Sequence, residues 1–205
     1  MQPSDFEPKK LPKQQRSKAT FDAIVEACTR LLAERGYAKT TTNHIAARAG
    51  VGISSLYEYF PNKDAVIAQV AERLVKRIID KLSAALDKVY QAPVDKATQV
   101  WIYAIYDVIV SEKDIVAVFL YEVPYTNQLK VIRNVFPVLL QFSTSMQKKM
   151  NRKIKLANEQ ADMRLMINLV TTTILQLVLH PPKDTTTKEM LNALVTRLDL
   201  WVTRD

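Results

Sequence analysis

Glycine is nearly absent. Three occur in 205 residues, at Gly36, Gly50 and Gly52, and none follows from Ile53 onward. Glycine weakens helices and supplies turns that need positive φ. A chain rich in Ala, Leu, Lys and Gln without it therefore reads as helices joined by other means. Cysteine occurs once, at Cys28, which excludes an intrachain disulfide and suits a reducing compartment. Cys28 falls on the apolar face of an expected helix, so the reading is inert core filler. Histidine occurs only at 44 and 180. With one cysteine and no glycine-rich phosphate loop or nucleophile elbow, neither a metal site, a bound cofactor nor catalysis is expected.

No long apolar run is present either. The most apolar segment, Leu165 to Leu179, is uncharged over fifteen residues but holds Asn168, three threonines and Gln176. It falls short of the roughly 20 apolar residues of a membrane span, so a buried helix is expected and no membrane partner. The opening MQPSDFEPKK has no apolar stretch, and no signal peptide is expected there. The formal net charge is +8, which permits a polyanionic partner. Residues 1–65 carry ten basic and seven acidic side chains, so only +3 lies there. A nucleic-acid claim must rest on local arrangement.

What is present is helical periodicity. Residues 1–15, with three prolines and no period, read as a disordered basic arm. From Ser17, an expected N-cap, apolar residues recur at Phe21, Ile24, Val25, Cys28, Leu31 and Leu32, and Gly36 stands where a helix ends. TTTNHIAARAG is a short second helix capped by one of Thr40, Thr41 or Thr42, with Ile45 and Ala49 facing inward and Gly50 as its stop. A third runs roughly from Ser54 to Phe60 before Pro61. Two short helices joined by a three- or four-residue glycine turn have helix-turn-helix geometry. Asn62 then caps a long helix with an i, i+4 row at Val66, Val70, Leu74, Ile78, Leu82 and Leu86. Further helices are expected near 94–111, 112–123, 127–150 (kinked or split by Pro137), 158–179 and 185–203. The expected fold is all-α, about nine helices: an N-terminal three-helix bundle over 16–65 and a C-terminal helical domain over 66–205.

In a helix-turn-helix the second helix of the pair enters the major groove with its leading residues at base edges. Gly52, Ser54 and Ser55 are small enough for that approach. Tyr57 and Tyr59 are donors long enough to reach phosphates, or else ordinary half-buried aromatics. Leu56 and Phe60, spaced i, i+4, would anchor the helix inward. Lys63, Thr41 and Thr42 lie at helix starts, where free N–H groups suit phosphate. Lys9, Lys10, Lys13, Arg16 and Lys18 either trail along a DNA backbone or form a solvated tail.

AIVEACTRLLAERGY followed by TTTNHIAARAGVGISSLYEYFPNKDAV resembles the N-terminal DNA-binding region of the TetR (tetracycline-repressor) family. The resemblance is carried by Gly36, Tyr37, Thr40, Thr41, Ile45, Ala46, Ala49, Gly50, Val51, Leu56, Tyr57, Tyr59, Phe60 and Lys63, over about fifty residues. It implies that Thr42 and Asn43 contact phosphate and base. It further implies that Gly52, Ile53, Ser54 and Ser55 form the base-facing start of the recognition helix, and that Tyr57, Tyr59 and Lys63 clamp phosphates. Gly52 and Ser54 depart from the family pattern. Glu58 either accepts from a cytosine amino group or faces solvent.

The resemblance also implies a regulatory and dimerisation domain whose last two helices pair with a second subunit. The stripe Met190, Leu191, Leu194, Leu198 and Trp201 fits such a face or the subunit's own core. An effector pocket is expected between the middle helices, among Trp101, Tyr103, Tyr106, Phe119, Glu122, Tyr125, Phe142 and Met166, with Asp107, Tyr121, Phe136, Met146 and Met163 nearby. Each aromatic is equally a core residue. The basic run Lys148 to Lys155 reads as a solvated helix end. The expectation is a cytoplasmic, nucleoid-associated bacterial repressor: a homodimer that grips a pseudo-palindromic DNA operator and is released by a small-molecule effector. Two rivals stand beside it. One is an architectural or activating DNA binder without effector, the other a helical small-molecule or membrane-surface binding protein.

Overall fold

In the computed structural model, which describes residues 6–149 and 158–201, the elements run α1 (Gln15–Lys39), α2 (Thr42–Ala49), α3 (Ile53–Tyr59), α4 (Lys63–Gln91), α5 (Ala97–Ser111), α6 (Lys113–Tyr121), α7 (Lys130–Arg133), α8 (Val135–Lys149), α9 (Glu159–Leu179) and α10 (Thr187–Trp201). A 3-10 turn lies at Thr126–Gln128. There is no strand among the described residues. The fold is all-α, with an N-terminal helix-turn-helix bundle and a C-terminal helical region. Two packing units divide the chain: Met1–Lys76 with Asp114–Arg133, and Arg77–Lys113 with Asn134–Asp205. The first unit therefore runs past residue 65. The reason is that α4 is continuous there, and its Val66, Val70 and Ala71 are buried.

The first unit is built on the apolar face of α1. Phe21, Ile24, Val25, Cys28, Leu31 and Leu32 are all buried, as the period predicted. Its start differs from expectation. The N-cap is Gln14, and the Ser17 hydroxyl donates to the Gln14 carbonyl at 2.8 Å, so Ser17 lies inside the first turn. Glu34 and Arg48 pair two nitrogens to two oxygens between α1 and α2. That hydrogen bond holds the Glu34 carboxyl below the usual carboxylate range. Arg73 of α4 pairs with Asp22 of α1.

Cys28 sits fully enclosed in this core. Burial pushes its thiol up to about 12, against a smaller lowering by Lys63. The thiolate is the reactive form, so a disulfide reagent at neutral pH should leave the native chain unmodified and titrate its single thiol only after denaturation. Prompt labelling of native protein would contradict this burial.

The second unit centres on Ile102 of α5, Ile174 and Leu177 of α9, and Leu191, Leu194 and Leu198 of α10. The stripe on α10 is thus consumed largely by the chain's own core, while Met190 is exposed. The side chain of Trp201 lies outside the described residues. α10 opens with a reciprocal capping box: the Thr186 hydroxyl accepts the Glu189 N–H at 3.1 Å, and the Glu189 carboxylate accepts the Thr186 N–H at 2.8 Å. α9 was expected to be a buried helix and is so on one face only. Met163, Ile167, Ile174 and Leu177 are buried, but Leu165 is 56% exposed. By length and composition alone, Gln160–Leu179 is long and apolar enough to cross a membrane.

The helix expected over 127–150 is split. It restarts at Val135, which places Pro137 in the first turn of α8, where a missing N–H costs no intrahelical bond. Of the basic run Lys148 to Lys155, residues 150–155 lie outside the described residues, as does the side chain of Met146. Glu112 is held by Arg77 at 2.9 Å and Lys81 at 2.8 Å. Burial alone would raise its carboxyl, but the hydrogen bonds from those two cations outweigh burial and keep it low.

Candidate nucleic-acid interface

The site begins at the end of α1. Gly36 adopts φ 75°, ψ 178°, a region essentially reserved for glycine. A side chain at Gly36 would also run into the Glu122 carboxylate. That carboxylate accepts the Tyr37 N–H at 2.8 Å. The Lys63 ammonium donates to the Tyr37 carbonyl at 3.1 Å and lies 3.8 Å from the Tyr37 ring centre. The buried Thr40 hydroxyl donates to the Gly36 carbonyl at 2.7 Å. The Tyr37 hydroxyl donates to Asp64 at 3.3 Å; burial, then the Asp64 charge, raises its phenol above the ordinary value. Glu122, the start of α4 and the local Thr40 hydroxyl thus fix the turn that delivers α2.

Thr41 caps α2, its hydroxyl accepting the His44 N–H at 3.2 Å. Ile45 and Ala46 are buried; Ala49, expected to face inward, is only half-buried. Gly50 closes the helix at φ 68°, ψ 29°. Its N–H meets the Ala47 carbonyl at 3.2 Å, and the Val51 N–H meets the Ala46 carbonyl at 3.0 Å. This pair of bonds is the Schellman motif. No atom crowds a Cβ at Gly50, so φ alone demands glycine there.

α3 follows with its anchor and its edge on opposite sides. Leu56 and Phe60 are fully buried, and the Phe60 ring lies 4.8 Å from that of Phe21. Gly52, Ile53 and Ser54 are exposed, Ile53 to 39%; Ser55 is half-buried. Tyr57 is 40% exposed and its hydroxyl shares a 3.1 Å hydrogen bond with that of Thr42. Asn43 and Thr41 are exposed on the neighbouring helix. Thr42, Tyr57 and the leading edge of α3 therefore share an open surface. Asn62 caps α4 as expected, its side-chain oxygen accepting the Ala65 N–H at 2.8 Å.

Some residues expected in this surface lie elsewhere. Tyr59 is only 7% exposed and packs edge-on against Phe21 at 5.9 Å, because it falls on the same face of α3 as Leu56 and Phe60. Lys63 is half-buried with its ammonium engaged on Tyr37. Glu58 is exposed and paired with Lys10 at 3.1 Å. Within the arm expected to be disordered over 1–15, Phe6 is buried with its ring 4.8 Å from that of Tyr125, while Leu11 is 68% exposed. Residues 1–5 lie outside the described residues. The sequence named Glu122 and Lys10 for other roles, because the partners they hold here are 85 and 48 positions away, beyond any local period.

The residues expected to form an effector pocket fall into both units. Phe119, Glu122 and Tyr125 belong to the first unit. Phe119 is buried in its core, Glu122 holds the Gly36–Tyr37 turn, and the Tyr125 hydroxyl donates to Asp64 at 2.7 Å. These three serve the packing of the bundle, and Tyr121 beside them is 60% exposed. Trp101, Tyr103, Tyr106, Phe142 and Met166 lie in the second unit. There Trp101 and Phe142 have ring centres 6.3 Å apart, the Tyr103 hydroxyl donates to Asn192 at 2.9 Å, and Tyr106 and Met166 pack on the α5–α9–α10 core. Phe136 receives the Arg164 guanidinium 4.2 Å from its ring centre, Met163 is buried, and Asp107 is exposed.

Residues 24–70 match the family "Bacterial regulatory proteins, tetR family". The uncharacterized HTH-type transcriptional regulator YvdT of Bacillus subtilis (strain 168) is 30% identical over 76 residues, 37% of this chain and 38% of that protein. The uncharacterized HTH-type transcriptional regulator Rv0767c of Mycobacterium tuberculosis (strain ATCC 25618 / H37Rv) is 38% identical over 63 residues, 31% of this chain and 30% of that one. The chain thus spans well under half the length of these curated relatives. The crystal structure of a TetR-family transcriptional regulator from Haemophilus influenzae RD aligns over 93% of this chain and 100% of its own, with TM-score 0.65 at 18% identity, a likeness of fold. The helix-turn-helix over residues 24–70 is thus similar to that of the tetR family of bacterial regulatory proteins, and the fold of the whole chain is like that of a TetR-family structure.

Proposed function

We propose that the protein is a homodimeric, sequence-specific DNA-binding repressor that a small-molecule effector releases from a pseudo-palindromic operator in the bacterial cytoplasm. One observation carries this reading: the leading edge of α3, Gly52 to Ser54, is open to solvent while Leu56 and Phe60 hold the opposite face in the core. Ile53, Ser54 and Ser55 would meet base edges. Thr41, Thr42, Asn43 and Tyr57 would hold phosphates beside them, Tyr57 already oriented by its bond to Thr42. Phosphate contacts set affinity and register, and base contacts set sequence.

Exposed apolar side chains on the last two helices support a second subunit. Leu165, Leu169, Met190 and Leu200 are open in the single chain, Leu200 to 69%. A two-fold dimer would place two copies of α3 about 34–36 Å apart, one DNA turn. Trp101, Tyr103, Tyr106, Phe142 and Met166 would line the effector site in the second unit. An effector that binds the released state more tightly than the gripping state would shift the population, and α4, one continuous helix from Lys63 to Gln91, would carry the change.

Selection of bound duplexes from a random pool tests this directly. The expected product is an inverted repeat with half-sites one turn apart. Tyr57→Ala should weaken binding to every duplex by about tenfold or more, at a cost of 1–3 kcal/mol. Ser55→Ala should instead change which bases are preferred. No enrichment over many rounds, or identical preferences in both variants, would overturn the assignment.

A further inference from the structure

The short helix α3 ends with the wrong charge. Its last turn carries Glu58 and no basic side chain. An acidic group there adds to the negative end of the helix dipole, and the last carbonyls need donors from elsewhere. Both needs are met by a segment 48 positions away. Lys9 donates its backbone N–H to the Tyr59 carbonyl at 2.7 Å and its ammonium to the Tyr57 carbonyl at 2.9 Å. The Lys10 ammonium lies 3.1 Å from the Glu58 carboxylate and 5.0 Å from the centre of the Tyr59 ring. The segment has an apolar anchor as well. Phe6 is buried against Tyr125, whose own hydroxyl is tied to Asp64 at the start of α4. Burial, and then the hydrogen bond to Asp64, raises the Tyr125 phenol far above its ordinary value, so it stays a donor.

We propose that Phe6–Lys10 is a strap that positions the recognition helix by capping its C-terminal end, and that Lys9 and Lys10 act on α3 rather than on the DNA backbone. The proposal rests on the DNA-binding reading above. It differs from a basic tail in a measurable way. A lysine on a phosphate releases counterions, so its loss makes the dependence of log affinity on log salt shallower by about one. A lysine on a helix end leaves that slope unchanged.

The test measures binding to the selected duplex across a salt series for the full chain, Phe6→Ala, Phe6→Tyr and Lys9→Met. Phe6→Ala removes no charge. It is expected to weaken binding about tenfold at every salt concentration, the scale of one lost aromatic anchor, and Phe6→Tyr to return within about twofold of the parent. Lys9→Met, at an exposed position, is expected to weaken binding with the parental slope, and it decides the matter alone should Phe6→Ala not fold. Parental affinity in Phe6→Ala, or a shallower slope in Lys9→Met, would overturn the strap. If the parent chain selects no duplex, the functional reading fails instead. The strap is then judged by amide exchange of Leu56 to Phe60 in Lys9→Met: faster than in the parent supports it, unchanged refutes it.

Discussion

Phe60→Ala is expected to lower the stability of the N-terminal unit by about 3–5 kcal/mol, the range for truncating a buried aromatic to alanine. The Phe60 side chain is fully enclosed, with its ring 4.8 Å from Phe21 of α1. Removing it loses the transfer free energy of the ring and leaves a cavity that the surrounding side chains close only in part. Relaxation is restricted because Leu56, Ile45, Val66 and Ile67 are also fully buried. Phe60 is the C-cap of α3, its N–H bonded to the Leu56 carbonyl at 3.0 Å, so the end of α3 frays with the core. Chemical denaturation followed by tryptophan-independent far-UV signal gives the midpoint. A change below about 1 kcal/mol would mean that the ring is not the anchor.

Gly36→Ala is expected to cost about 3 kcal/mol, from two separable sources. The backbone at φ 75°, ψ 178° strains any residue with a Cβ by about 1–3 kcal/mol. The new methyl would also displace the Glu122 carboxylate, forfeiting its bond to the Tyr37 N–H, and a bond to a charged group contributes about 1.5–3 kcal/mol. A double-mutant cycle separates them. Glu122→Ala in the Gly36→Ala background relieves the collision but not the strain, so the double variant should lose less than the two single variants summed. Strict additivity would show that Glu122 does not bear on the turn. Because Thr40 to Asn43 follow directly, duplex binding should fall along with stability.

Much of this unit was legible in the sequence because its information is local. The buried face of α1, the cap of Asn62 on α4, the left-handed stop at Gly50 and the inward pair Leu56 and Phe60 each depend on residues within one or two helical turns. Errors arose where local signals tie or mislead. Ser17 is the residue type that favours a cap, yet the helix starts after Gln14, whose side chain makes no capping bond. Pro137 was compatible with a kink or a break, and a restart at Val135 resolved it. Tyr57 and Tyr59 look alike in sequence, yet two residues of helix turn them through about 200°. One stands beside Thr42 in the open and the other lies against Phe21.

The amino-acid order alone determined where helices form and where the chain turns between them, since 3.6-residue periodicity, caps and positive-φ glycines are written into neighbouring residues. Only tertiary structure decided that Glu122 guards the Gly36 turn, that Lys9 and Lys10 close the end of α3, and that Phe119 is buried in the bundle and Tyr125 bonded to Asp64. Those pairings join segments dozens of positions apart, and nothing in the spacing along a chain specifies which of many possible long-range contacts gives the densest packing with every buried polar group satisfied.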